Sequence, residues 1–113
     1  MAPARPLSQD ALVQFATSYK LLQNYPNPLN PDTWIPFIVP QGGEVTVSIY
    51  SSSGRLVRRL ELGYKAQGFY ASKDRAAYWD GTNEMGESVA SGVYFYHIKS
   101  GDFSAIRKMM VAK

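Results

Sequence analysis

Cysteine is absent from all 113 residues. Disulfide frameworks, thiol catalysis and cysteine-based zinc sites are therefore excluded, and stability has to come from packing. No run of about 18 apolar residues occurs, so no segment reads as a membrane-spanning helix. Histidine occurs once, at His97, and catalysis through it needs a serine and a carboxylate converging on the ring. Nothing in the sequence places them, so His97 is expected to be structural. Charge is sparse and nearly balanced, with 12 Lys and Arg against 9 Asp and Glu and a net charge of +3. That balance supports solubility and lacks the dense basic face of a nucleic-acid binder. The opening Met1–Pro6 has no apolar centre, so it does not read as a secretory signal. If the parent protein is exported, its signal is expected upstream.

Aromatic residues are plentiful: 8 Tyr, 5 Phe and 2 Trp. They favour pleated, half-buried surfaces, and the composition leans toward β structure. Residues 1–18 read as a linker or short helix, with Ser8 as its cap, Asp10 in its first turn, and Leu12, Val13 and Phe15 on its apolar side. From Tyr19 the character changes. Tyr19–Asn24 reads as a strand that runs into Tyr25–Pro31, where three prolines fix φ and remove donors. This is a rigid, extended corner.

Thr33–Val39 reads as one strand, with Pro36 demanding an edge position or a bulge. Val45, Val47 and Ile49 alternate with Thr46 and Ser48, the period of a half-buried strand. Ser51–Gly54 turns the chain into Leu56–Leu62, giving a hairpin. Gly63–Asp74 reads as a loop and Arg75–Trp79 as a short strand. Gly92–Lys99 is apolar on both faces, as a central strand requires, and Phe103–Ala112 returns as the last strand.

About seven strands with frequent turns predict an all-β, Ig-like antiparallel β-sandwich over residues 19–113. The predicted core is Leu22, Ile35, Phe37, Val45, Val47, Ile49, Leu60, Trp79, Val93, Phe95, Ile98 and Val111.

Several segments also carry a resemblance as a set. They are Leu21–Pro31, Gly43–Tyr50 with Gly54-Arg55, Trp79-Asp80-Gly81, Ser91–Tyr96 and Arg107–Met109. In this order and spacing they resemble the C-terminal sorting domains of the type IX secretion system. The same pattern is shared with the Ig-like domain of flagellar hook-capping proteins. The resemblance implies a domain at the C-terminus of a secreted cargo protein, recognised by outer-membrane translocon proteins and delivered through the periplasm to the surface. It implies recognition through the corner (Pro26, Asn27, Pro28), through Gly92 and Tyr94, and through the cations Arg107, Lys108 and Lys113. Two departures stand out: Tyr50-Ser51 where the family often has Tyr-Asp, and the segment Trp34–Phe37.

Other chemistries are weaker. Asp80, Asn83 and Glu84 bring oxygen ligands close together, as calcium favours, but without EF-hand spacing, and an Asx-type turn accounts for them. Trp34, Tyr64, Phe69, Tyr70 and Tyr78 offer rings to a sugar only if they form an exposed platform. No catalytic residue, cofactor, nucleic-acid partner or membrane span is expected. Two alternatives to sorting stand: a structural Ig-like spacer or assembly module, and a carbohydrate-binding module of an extracellular enzyme.

Overall fold

The computed structural model describes residues 21–113. The expected helix after Ser8, with Tyr19 and Lys20, lies outside them. Among the described residues there are eight strands and no helix: β1 (Thr33–Ile35), β2 (Phe37–Val39), β3 (Gly43–Ser51), β4 (Leu56–Lys65), β5 (Gly68–Tyr70), β6 (Ala77–Trp79), β7 (Gly92–Ser100) and β8 (Phe103–Val111). One layer is a four-stranded antiparallel sheet in the order β4-β3-β7-β8. The other is built from the pairs β1-β6 and β2-β5. The fold is an all-β Ig-like sandwich.

The alternation in β3 places Val45, Val47 and Ile49 inward, all buried. Facing them from the second layer are Ile35, Phe37, Tyr70, Ala77 and Trp79, which belong to the same core cluster. Phe37 and Tyr70 stack with centroids 4.9 Å apart. Trp79 meets Tyr94 edge to face, and its indole N–H donates to the Thr82 carbonyl at 2.8 Å.

The structure corrects several expectations. Thr33–Val39 is two strands, not one. Pro36 lacks an N–H, so the ladder breaks there: β1 pairs with β6 while β2 pairs with β5. Pro36 itself is buried and joins two strands that each belong to a two-stranded pairing. The expected strand Tyr19–Asn24 is, from Leu21 on, an extended run held by the isolated bridges Leu21↔Phe37 and Tyr25↔Trp34.

β4 continues through Gly63 to Lys65. Gly63 has φ 75° and sits where the register with β3 shifts between Val45 and Thr46. The glycine that reads as a loop signal in the sequence is thus part of a bulge. β5 lies within the segment expected to be loop.

In β7 the inward face is Tyr94, Tyr96 and Ile98, all buried, while Val93 and Phe95 point outward and are only half-buried. Leu22 is half-buried and packs with Phe69 on Ile38 in a separate small cluster. Leu60 is half-buried against the main core. Leu29 and Met109, fully buried, are core residues that the sequence pattern did not mark.

Candidate functional site

Asn24 and Thr33 fix the start of the proline corner. Both are buried. The Asn24 amide donates to the Thr33 hydroxyl at 3.1 Å and to the Pro26 carbonyl at 3.2 Å, and the Thr33 hydroxyl donates to the same carbonyl. The peptide bonds into Pro26, Pro28 and Pro31 are cis. From below, the Asn24 backbone N–H donates to the Tyr96 hydroxyl at 3.0 Å, and that hydroxyl donates to the Leu22 carbonyl at 2.7 Å. Tyr96 therefore pins the Leu22–Asn24 backbone to the four-stranded sheet. Desolvation raises its hydroxyl pKa above the ordinary tyrosine value, against the lowering effect of the Asn24 hydrogen bond and of Arg107.

The corner then crosses to the edge of that sheet. Leu29 forms a parallel bridge with Val111. Its N–H donates to the Met110 carbonyl at 2.9 Å, and its carbonyl accepts from Ala112 at 3.1 Å. The Asn27 carboxamide oxygen accepts the Met110 N–H at 2.9 Å. Gln23 donates to the Lys108 carbonyl, and the Arg107 guanidinium donates to the Leu21 carbonyl. An edge strand left with bare N–H and C=O groups invites foreign pairing; here the corner covers the C-terminal half of β8.

The residues singled out for recognition thus converge on one side of the molecule. Gly92 and Tyr94 stand opposite Val111 and Met109. The Lys113 N–H donates to the Ser91 hydroxyl. Most of them hold the edge together. Tyr94 is buried, with its hydroxyl donating to the Ala90 carbonyl. Arg107 and Asn27 bond backbone groups. Lys108 differs, because its side chain is exposed on the outer face of β8.

A second contact joins two motifs that are far apart in sequence. Gly81, in Trp79-Asp80-Gly81, has φ 78° and packs directly against the Pro31 carbonyl and Leu29. Its own carbonyl accepts from Val89. Nothing in the sequence signals this approach beyond the glycine itself.

The calcium candidates use their oxygens within the turn. Asp80 accepts from the hydroxyl and N–H of Thr82 and lies 3.8 Å from Arg58. The Asn83 oxygen accepts from Met85 and Glu87, and Glu84 accepts the Arg59 N–H. Among the described residues no three acidic or imidazole groups come together to hold a metal.

The Thr82 hydroxyl, then its N–H and Arg58, depress the Asp80 pKa below its ordinary value. A depressed carboxylate stabilises the fold above its unfolded pKa, near 4, and loses that contribution as pH falls through the folded value. The stability gap between the wild type and Asp80→Asn should therefore be present in full at pH 7 and narrower at pH 3. Thermal melts at the two pH values check this, and a gap that ignores pH would refute it.

Of the rings weighed for sugar binding, only Trp34 and Tyr78 meet, at 5.3 Å between centroids. Tyr25 joins them from the other side. The Lys73 ammonium lies 4.3 Å over Trp34. Tyr70 is inside the core, Phe69 covers Ile38, and Tyr64 is exposed on β4. His97 is on the outer sheet face opposite Ser48, in an open recess shared with Thr46, Arg59 and Glu61. Among the described residues no hydrogen bond links Ser48, His97 and Glu61, and a catalytic triad requires such links.

The family described as FlgD Ig-like domain matches residues 40–102, from the turn before β3 to the turn after β7. Among solved structures the chain is similar to dimeric latent PorU from Porphyromonas gingivalis, with 23% identity and a TM-score of 0.59 over 80% of this chain and 9% of that one. It is also similar to PorZ, described as an essential bacterial surface component of the type-IX secretion system of human oral-microbiomic Porphyromonas gingivalis. There the identity is 24% and the TM-score 0.58, over 87% of this chain and 12% of that one. The chain spans about a tenth of the length of each, and at these identities the likeness shows the fold. No curated protein matches the chain.

Proposed function

Because the chain belongs to the family of FlgD Ig-like domains, we propose that it is a non-catalytic recognition module, the C-terminal sorting and anchoring domain of a larger secreted bacterial protein. Its partners are the cargo protein N-terminal to it and the secretion machinery of the outer membrane. Its destination is the cell surface or the medium, after passage through the periplasm.

The observation that carries this reading is the locked edge. The family match spans β3 to β7. The proline corner and β8 lie outside it, and they are bonded to each other through Leu29, Asn27, Gln23 and Arg107. The chain arriving from the cargo side is thus clamped to the last strand of the main sheet. The likeness to PorU and PorZ supports the same context at the level of fold.

The test fuses all 113 residues to the C-terminus of a passive reporter carrying a signal peptide, in a host with a type IX system. Export of the reporter past the outer membrane is expected, and it should be lost when the translocon is deleted. Reporter that stays in the periplasm would refute sorting. It would favour the second reading, an Ig-like spacer or assembly module, for which the family match itself speaks.

A further inference from the structure

The inner face of the four-stranded sheet is the core, so its outer face should be polar if it only meets water. Over β3 and β4 it is, with Thr46, Ser48, Arg59 and Glu61, but over β7 and β8 it is not. The register places Val93 opposite Met110, Phe95 between Tyr50 and Lys108, and His97 opposite Ile106. Ile106 is 59% exposed and Met110 42%. The Lys108 side chain is thus surrounded by apolar neighbours: Phe95 across the ladder, Ile106 and Met110 two residues away on its own strand, and Val93 diagonally. Exposed apolar groups gathered around one cation and rimmed by polar residues have the composition of an interface rather than of a solvated sheet. The rim carries Arg59 and Lys99 in the recess beside His97, against Glu61.

We infer that this outer face, centred on Lys108, docks a protein partner that presents a carboxylate flanked by apolar side chains. The inference rests on the sorting reading and identifies the surface used: the outer face of β7 and β8, with the corner acting behind it as a clamp on β8. Hydrogen bonds from the Leu29 backbone and from the Asn27 and Gln23 side chains to backbone groups of Met110 and Lys108 fix the strand while leaving the Lys108 ammonium free of ion pairs among the described residues.

Charge selects the occupant. A second copy docked face to face would bring together two faces on which Lys108, Lys99 and Arg59 outnumber Glu44 and Glu61, and a surplus of like charge opposes pairing. An anionic membrane is normally held by clusters of about four to eight cations on one face, whereas this face offers three. A single carboxylate on a protein surface matches the single central cation.

The experiment uses the same reporter fusion with Lys108→Glu, and separately with the pair Ile106→Ser and Met110→Ser. Lys73→Glu, on the other layer, is the control. Each purified 113-residue chain is also melted in urea and floated with vesicles of phosphatidylglycerol and phosphatidylcholine. Export is expected to fall at least tenfold for both outer-face variants, with urea midpoints unchanged, no vesicle binding by any chain, and the control exported normally. Full export by variants of an exported wild type would overturn the docking face and leave the sorting reading standing. Vesicle binding that Lys108→Glu abolishes would replace the protein partner with a membrane. A wild-type fusion that is not exported removes both readings together.

Discussion

Replacing Gly81 by alanine is expected to cost about 3–4 kcal/mol, near the upper end for a single substitution, whereas the same change at Gly86 should cost about 1–2 kcal/mol. Both glycines have positive φ, 78° and 80°, and an L-residue held there loses about 1–2 kcal/mol. The sites differ in what a Cβ would meet. At Gly86 there is nothing within 4 Å, while at Gly81 the new methyl would overlap the Pro31 carbonyl, a backbone atom with Leu29 behind it. Relief means moving the corner, and the corner is tied to β8 by two hydrogen bonds through Leu29. The damage should therefore reach β8, raising amide exchange at Met110 and Ala112 in the Gly81 variant and not in the Gly86 variant. Urea titrations give the two costs. If they agreed within about 0.5 kcal/mol, the comparison would reduce to the φ penalty and the close approach would count for nothing.

What the sequence made legible, and what it hid, follow from the range of each signal. Period-two alternation is local, and β3 was readable from Val45, Val47 and Ile49 alone. β7 was readable as a strand and as a central one, but not in its orientation, because aromatic and aliphatic residues occupy both faces. Only the opposing layer decides that Tyr94, Tyr96 and Ile98 face inward. Pro36 signalled trouble correctly, yet a missing N–H can be accommodated by an edge, a bulge or a break, and the break depends on β5 and β6 offering separate partners. Gly63 looked like a loop because a bulge and a turn make the same demand on φ.

The residues expected to serve recognition lie on one side of the fold, but what each of them touches was not legible. Whether Arg107 reads a receptor or bonds the Leu21 carbonyl is a question of what lies 86 positions away, and no window along the chain contains it. Leu29 was hidden for a related reason: a leucine among three prolines has no period to mark it, and its burial comes from β8 and Gly81.

Tyr96→Phe should cost about 2–4 kcal/mol although it removes one oxygen atom and leaves the ring in place. The hydroxyl serves two backbone groups, accepting from the Asn24 N–H and donating to the Leu22 carbonyl. Asn24 is buried, so neither water nor another side chain replaces the bond without movement. Each buried polar group left without a partner costs about 1–3 kcal/mol. The loss falls on the one tether between the start of the corner and the middle of the sheet, so the Asn24–Thr33 hydrogen bonds should loosen with it. A double-mutant cycle with Asn24→Ala is expected to be non-additive by at least about 0.5 kcal/mol.

The same hydroxyl makes the fold sensitive to alkali. Its folded pKa is raised, so the neutral form stabilises the fold fully below the unfolded tyrosine value, near 10, and that contribution is lost as pH rises through the folded value. Stability measured from pH 8 to 11 should fall more steeply in the wild type than in Tyr96→Phe. Equal slopes would mean that Tyr96 ionises as freely in the fold as in the unfolded chain, and the tether would then not be the buried, two-sided bond that holds the corner.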